Sequence, residues 1–247
     1  MPNFSGFRTA STNQEPIQSR FSPILTPLAY FLGCHLVMPF YFGTIQVRGQ
    51  ENLPKTGPVI LAPTHRSRWD SLVVPMVAGR TVTGRDLHFM VTADEVKGMQ
   101  GWLISRLGGF PVNVHRPSIG SLRHGIDLLQ QGAMLVIYPE GGIFRDRNVH
   151  RLKPGLARIA LQAAATQPDL NARIVPISLH YEDLNVPRGC DVRVSIGEPI
   201  SVADYLQGDG AGEALKENAK NITHHLQMAL QELSGEITTE QKAPSVA

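Results

Sequence analysis

Apolar positions along the chain fall into short runs separated by polar turns, and the runs alternate between two periods. Residues 59–62, 87–92, 110–114, 133–138 and 173–180 are nearly continuous apolar stretches of strand length, as expected of strands buried on both faces. Thr44-Ile45-Gln46-Val47-Arg48-Gly49 alternates with the period of a half-buried strand, and 191–197 also reads as a strand. Between them lie helical patterns at 70–77, 94–107, 118–131, 154–165 and, in polar form, 213–233. Alternating strands and helices predict an α/β fold: a single domain with a mostly parallel central sheet flanked by helices. Pro176 interrupts the run Ile174-Val175-Pro176-Ile177, which predicts an edge strand or a bulge.

The ends of the chain depart from this pattern. Residues 1–20 are small and polar, a flexible arm, and 235–247 form a tail expected to be disordered. From Phe21 to Val47 there is no Asp, Glu, Lys or Arg. A straight membrane span needs about 20 apolar residues, and Pro27 and Pro39 leave too short a stretch between them. Three readings of 21–43 stand: a helix packed on the core, a kinked helix dipping into one leaflet, and a full span. The cluster Phe40-Tyr41-Phe42 favours the second, because aromatic rings settle at the membrane interface. The expected organisation is an arm (1–20), an apolar membrane-associating segment (21–43), a catalytic-sized domain (44–234) and a tail.

Composition narrows the function. Hydrophobic residues at 42 % and charged residues at 18 % describe a chain able to bury a core rather than a disordered one. A formal charge of +2 does not call for nucleic acid. Cys34 and Cys190 have neither zinc-ligand nor disulfide-framework spacing, so no metal is expected.

Three further stretches carry chemistry. His65 and Asp70 follow the run 59–62, at a strand-to-helix crossing where α/β proteins commonly place ligands. On an ideal helix, residues five apart point about 140° from one another. The two meet only if His65 precedes the helix and Asp70 lies in its first turn, and Ser67-x-x-Asp70 reads as a capping box that would arrange this. Taken alone, the same residues describe a capped helix beside a loop histidine. Leu107-Gly108-Gly109 leads a short strand that ends at Arg116, a side chain suited to bidentate phosphate binding. Tyr138-Pro139-Glu140-Gly141-Gly142 then places a carboxylate and an adaptable backbone at a strand end, followed by Arg145, Arg147, Arg151 and Lys153, a short basic cluster suited to a phosphate ester or anionic head groups. It is too poor in aromatics for a nucleic-acid surface.

In this order the blocks resemble the glycerolipid acyltransferase family, which includes the 1-acyl-glycerol-3-phosphate and glycerol-3-phosphate acyltransferases. The pattern is H-x-x-x-x-D at His65 and Asp70, a glycine-led strand ending at Arg116, F/Y-P-E-G at Tyr138 to Gly141, and V-P-V/I at Val175 to Ile177. The resemblance implies that His65 is a general base on an acceptor hydroxyl and that Asp70 orients it. It implies that amides near the helix start stabilise the thioester oxyanion, and that Arg116, Glu140, Gly141, Gly142, Arg145 and Lys153 bind glycerol phosphate. Gly155 completes a Lys-x-Gly element. The implied donor is acyl-CoA or acyl-carrier protein, with no separate cofactor. The acceptor is lysophosphatidate, giving phosphatidate in phospholipid biosynthesis at the cytoplasmic face of a membrane. Gly142 and Ile143 replace the Thr and Arg usual in the lysophosphatidate branch. Glycerol 3-phosphate or another lysophospholipid is therefore the alternative acceptor, and a non-catalytic lipid-binding protein is the alternative of another class.

Overall fold

The computed structural model describes residues 19–113, 118–206 and 212–235. In chain order the elements are α1 (Leu25–Leu32), a π-helical turn (Gly33–Val37), α2 (Met38–Tyr41), β1 (Ile45–Arg48), β2 (Val59–Pro63), α3 (Asp70–Ala78) and α4 (Arg80–Thr83). They continue with β3 (Leu87–Thr92), α5 (Gly98–Arg106), β4 (Gly109–Val112), α6 (Ile119–Gln130), β5 (Met134–Val136) and α7 (Gly155–Thr166). Last come β6 (Arg173–Tyr181), β7 (Val192–Ile196), β8 (Ile200–Ser201) and α8 (Gly212–Ser234).

The strands form one sheet in the order β1-β7-β6-β2-β5-β3-β4, with β8 also on β6. β6, β2, β5, β3 and β4 are mutually parallel, and β7 and β8 run antiparallel to β6. The predicted α/β domain with a mostly parallel, helix-covered sheet is what forms. Side chains alternate across it: Ile60, Leu135 and Ile174 pack with α6, α7 and α8, whereas Val59, Leu61, Val136 and Val175 pack with α3, β1 and β7. β2 is buried throughout its length and lies between β5 and β6, so the loops after β2 and β5 leave the sheet side by side. That adjacency positions the site.

Several expectations change. The helix expected from Asp94 begins at Gly98, because 92–96 forms turns and Gly98 has a positive φ of 55°. α4 and β8, four and two residues long, have too few positions to show a period. Pro176 is on an interior strand, not an edge. It sits at the break between the β8 pairing at Arg173–Ile174 and the β7 pairing that starts at Ile177, where its carbonyl accepts a bond from Gly197. The bulge alternative is nearer, because the break spares a hydrogen bond that proline cannot donate.

The amino-terminal segment also differs. Residues 1–18 of the expected arm and 236–247 of the tail lie outside the described residues. Ser19 and Arg20 are held: the Ser19 hydroxyl bonds His88 Nδ1 (2.8 Å) and His124 Nε2 (2.9 Å), and Arg20 N donates to Ser105 O. From Leu25 the chain forms a continuous helical rod through the π-helical turn and α2. Thr26 and Met38 are buried and Met38 packs into the core, whereas Ile24, Leu28, Phe31, Leu36 and Phe40 are exposed, so the rod has one face on the protein and an apolar face turned outward. Among the described residues no helix is long and apolar enough to cross a membrane.

Burial beside His124 pushes the His88 imidazole down to about 4, from an ordinary 6.5. The unfolded chain therefore takes up this proton first as pH falls. Stability is unaffected above pH 6.5 and declines between there and about 4, by on the order of 3 kcal/mol. Urea-unfolding midpoints across that window should show the decline, and His88→Gln should remove most of it.

Candidate active site

β2 ends where Pro63 gives way to Thr64, whose N–H donates to Ile177 O and whose hydroxyl accepts from Leu179 N. The chain then turns tightly into α3. Asp70, the first residue of that helix, is fully buried, and its Oδ2 accepts from Arg66 N (2.6 Å) and Ser67 N (2.9 Å). This is the reaching-back half of the capping box; the Ser67 hydroxyl accepts from Trp69 N instead of completing it. The turn folds His65 back over the helix start, so that its Nδ1 meets Asp70 Oδ2 at 2.8 Å. The meeting expected from a pre-helix His65 and a first-turn Asp70 is realised.

Asp70 Oδ1 accepts a 2.7 Å bond from the Tyr181 hydroxyl, delivered by the end of β6. Burial, and then the charge of Asp70, push the Tyr181 pKa far up, so it stays a donor. With His65 Nδ1 committed to Asp70, Nε2 is the nitrogen left as acceptor. The imidazole is stacked on Tyr138 (3.9 Å between centroids, 19° between planes), and its side chain is 17 % exposed, enough for a substrate to reach it. The Tyr138 hydroxyl is buried and unpartnered among the described residues.

Glu140, expected among the substrate ligands, is used inside the protein. Its carboxylate is buried and accepts from Arg66 Nη1 (3.1 and 2.9 Å), His65 N (3.0 Å) and His150 N (2.9 Å). Arg66 Nη2 also donates to Asn148 O. Glu140 thus clamps the loop after β2 to the loop after β5, and its oxygens are saturated. Three amides near the helix start are likewise used within the protein: those of Arg66 and Ser67 on Asp70, and that of Trp69 on Ser67.

The other expected ligands are spread around this clamp. Gly141 has a positive φ of 72°, and the Lys153 side chain lies where a Cβ on Gly141 would be. Gly141 and Gly142 border a cavity, whereas Arg145, Arg147, Arg151 and Lys153 are exposed at the rim of the loop. Arg116 lies outside the described residues. Arg66, Tyr138 as a stacking partner, and Tyr181 were not foreseen as parts of the site.

The cavity, of about 700 Å³, runs from His65 and Tyr138 between α1, α3 and α5. Tyr30, Cys34, Phe89 and Leu107 are among its walls, and Phe21 lines it from the amino-terminal strap. Phe21 is fixed by a bridge to Leu107 and by contact with His88. A space this size, mostly apolar with a few polar groups, suits a long hydrocarbon ligand.

A family model described as Acyltransferase matches residues 44–180. A chloroplastic 1-acyl-sn-glycerol-3-phosphate acyltransferase of Arabidopsis thaliana is 28 % identical over 183 residues, covering 69 % of this chain and 47 % of that protein. The chain thus spans about half the length of that relative. A 1-acyl-sn-glycerol-3-phosphate acyltransferase of Bacillus subtilis (strain 168) is 25 % identical over 198 residues, 79 % of this chain and 90 % of that one. Glycerol-3-phosphate acyltransferases are also among the relatives. In fold, the chain is similar to the crystal structure of the 1-acyl-sn-glycerophosphate acyltransferase of Thermotoga maritima, with a TM-score of 0.61, 19 % identity and coverage of 87 % and 82 % of the two chains.

Two substitutions test the clamp and the orphaned hydroxyl. Glu140→Gln leaves the Arg66 guanidinium buried without its counter-charge and should cost about 3 kcal/mol or more in urea unfolding. Tyr138→Phe keeps the stacking on His65 and removes a buried unpaired group. It should leave stability unchanged or raise it by about 1 kcal/mol.

Proposed function

The chain belongs to the glycerolipid acyltransferase family, and on that premise we propose that it transfers a fatty acyl group from an acyl thioester to the sn-2 hydroxyl of 1-acyl-glycerol 3-phosphate, giving phosphatidate. The thioester is acyl-CoA or acyl-carrier protein, a substrate rather than a cofactor. The observation that carries the reading is an oriented imidazole, His65 on Asp70, lining a large apolar cavity.

In this reading Asp70 holds Nδ1, so Nε2 accepts the proton of the acceptor hydroxyl as its oxygen attacks the thioester carbonyl. The tetrahedral intermediate collapses with cleavage of the carbon–sulfur bond, and the imidazolium returns the proton to the departing thiolate. One acyl–oxygen bond forms, one acyl–sulfur bond breaks, and the enzyme is regenerated. Tyr181 and the amides of Arg66 and Ser67 keep Asp70 in place while His65 carries the charge. The acyl chain occupies the cavity. Arg116, Arg145 and Lys153 supply positive charge for the acceptor phosphate, with Gly141 and Gly142 giving it close backbone approach. Glu140 acts here through Arg66 and not on substrate. Residues 21–43 hold the protein against a phospholipid membrane on its cytoplasmic face, with the exposed side chains of the rod in the lipid.

Glycerol 3-phosphate is the second reading, favoured by the relatives that act on it by name. Purified protein should consume acyl thioester with one of the two phosphorylated acceptors, and His65→Ala should lower turnover by about 10²–10⁴-fold with unchanged circular dichroism. Near-normal turnover in that variant would remove His65 from the mechanism. An acceptor panel separates the two readings, and activity confined to uncharged alcohols would refute the phosphate contacts.

A further inference from the structure

α5 carries exposed apolar side chains that the membrane reading of residues 21–43 leaves out. Met99, Trp102 and Leu103 are 85 %, 52 % and 44 % exposed, and their spacing of three and four residues puts them on one face of the helix. The inner side of the helix is used elsewhere: Gly101 packs on the backbone of Val96, and Ile104 lines the cavity against Gly109. α1 is built the same way, with Ala29 and Tyr30 lining the cavity and Ile24, Leu28 and Phe31 facing out.

The two helices are physically joined. Arg20 N donates to Ser105 O (3.0 Å), Ser22 N to Arg106 O (2.9 Å), and Gly108 N to Arg20 O (3.2 Å), so the entry to α1 is fastened to the exit of α5. They are therefore tied end to end, and each carries apolar side chains that are exposed.

Charge identifies the partner. The sequence has no Asp or Glu between Glu15 and Glu51, and none between Glu95 and Asp127. These two stretches contain Arg20, Arg48, Lys97, Arg106, Arg116 and Arg123. Lys97 is paired with Asp94, but the Arg106 guanidinium lies over the Trp102 ring at 5.2 Å. Arg188 lies over Phe40 at 4.0 Å in the same manner. An aromatic ring with an arginine above it matches the boundary of an anionic bilayer, with the ring at the hydrocarbon edge and the guanidinium among phosphates.

We propose that α5 is a second membrane-contacting element, and that the protein meets an anionic phospholipid surface on α1 and α5 together. This rests on the membrane reading above and adds to it a specific helix and a specific face.

The chain has two tryptophans, so Trp69→Phe leaves Trp102 as the sole indole reporter. With mixed phosphatidylcholine–phosphatidylglycerol vesicles, its emission should shift to shorter wavelength and be quenched by lipids brominated near the head of the acyl chain. Co-sedimentation with the vesicles is measured in parallel. Met99→Ser with Leu103→Ser, both on the exposed face, should weaken co-sedimentation by about tenfold and leave turnover of short-chain dispersed substrates unchanged. Protein that sediments with vesicles while Trp102 emission stays unmoved would overturn the role of α5 and leave residues 21–43 as the contact. Failure to sediment at all would overturn both, and would turn the α5 face toward a protein partner.

Discussion

The arrangement depends on one buried carboxylate. Asp70 has no solvent contact, yet its two oxygens collect an imidazole, two backbone amides and a phenol. A charge in such a place is tolerable only when its acceptor sites are filled. The requirement works in both directions, since the carboxylate fixes the turn that delivers its own donors. The Arg66–Glu140 pair repeats the device one layer away and joins the loops after β2 and β5. His65 sits between the two, tied by its ring to Asp70 and by its backbone N–H to Glu140. The imidazole is thus positioned from both sides before any substrate arrives.

Much of this was legible from the chain. The parallel strands announced themselves as apolar runs because burial on both faces leaves no polar position to alternate with. His65 and Asp70 were found because five residues spanning a turn is a local relation. Arg66 and Tyr181 were not, because their meaning lies in partners 74 residues away at Glu140 and 111 residues away at Asp70. Flanked by His65 and Ser67, Arg66 reads as one more loop cation; only the folded adjacency of β2 and β5 turns it into a buried clamp. For the same reason Glu140 looked like a substrate ligand. A carboxylate after a strand, followed by glycines, has that appearance until the four hydrogen bonds from its three donors are counted.

The cavity was invisible in the sequence because no single segment forms it. One wall comes from the amino-terminal rod, another from α3, another from β3 and α5, and Phe21 reaches in from the strap. Each contributor is apolar for an ordinary packing reason. What distinguishes them is that they stop short of one another and leave the space beside His65 unfilled.

The π-helical turn at Gly33–Val37 has a geometric consequence for the rod. The exposed residues Ile24, Leu28, Leu32, Leu36 and Phe40 recur every fourth position. On a regular helix each four-residue step overshoots a full turn by about 40°, so Phe40 would be swung by about 160° from Ile24. The turn, closed by Met38 N–H on Gly33 O, absorbs one extra residue and takes back about 100° of that swing. It acts as a phase corrector: the outward stripe stays on one side of the rod while Met38 and Phe42 reach the core on the other. Without the inserted residue, the two ends of the rod could not lie on a single plane.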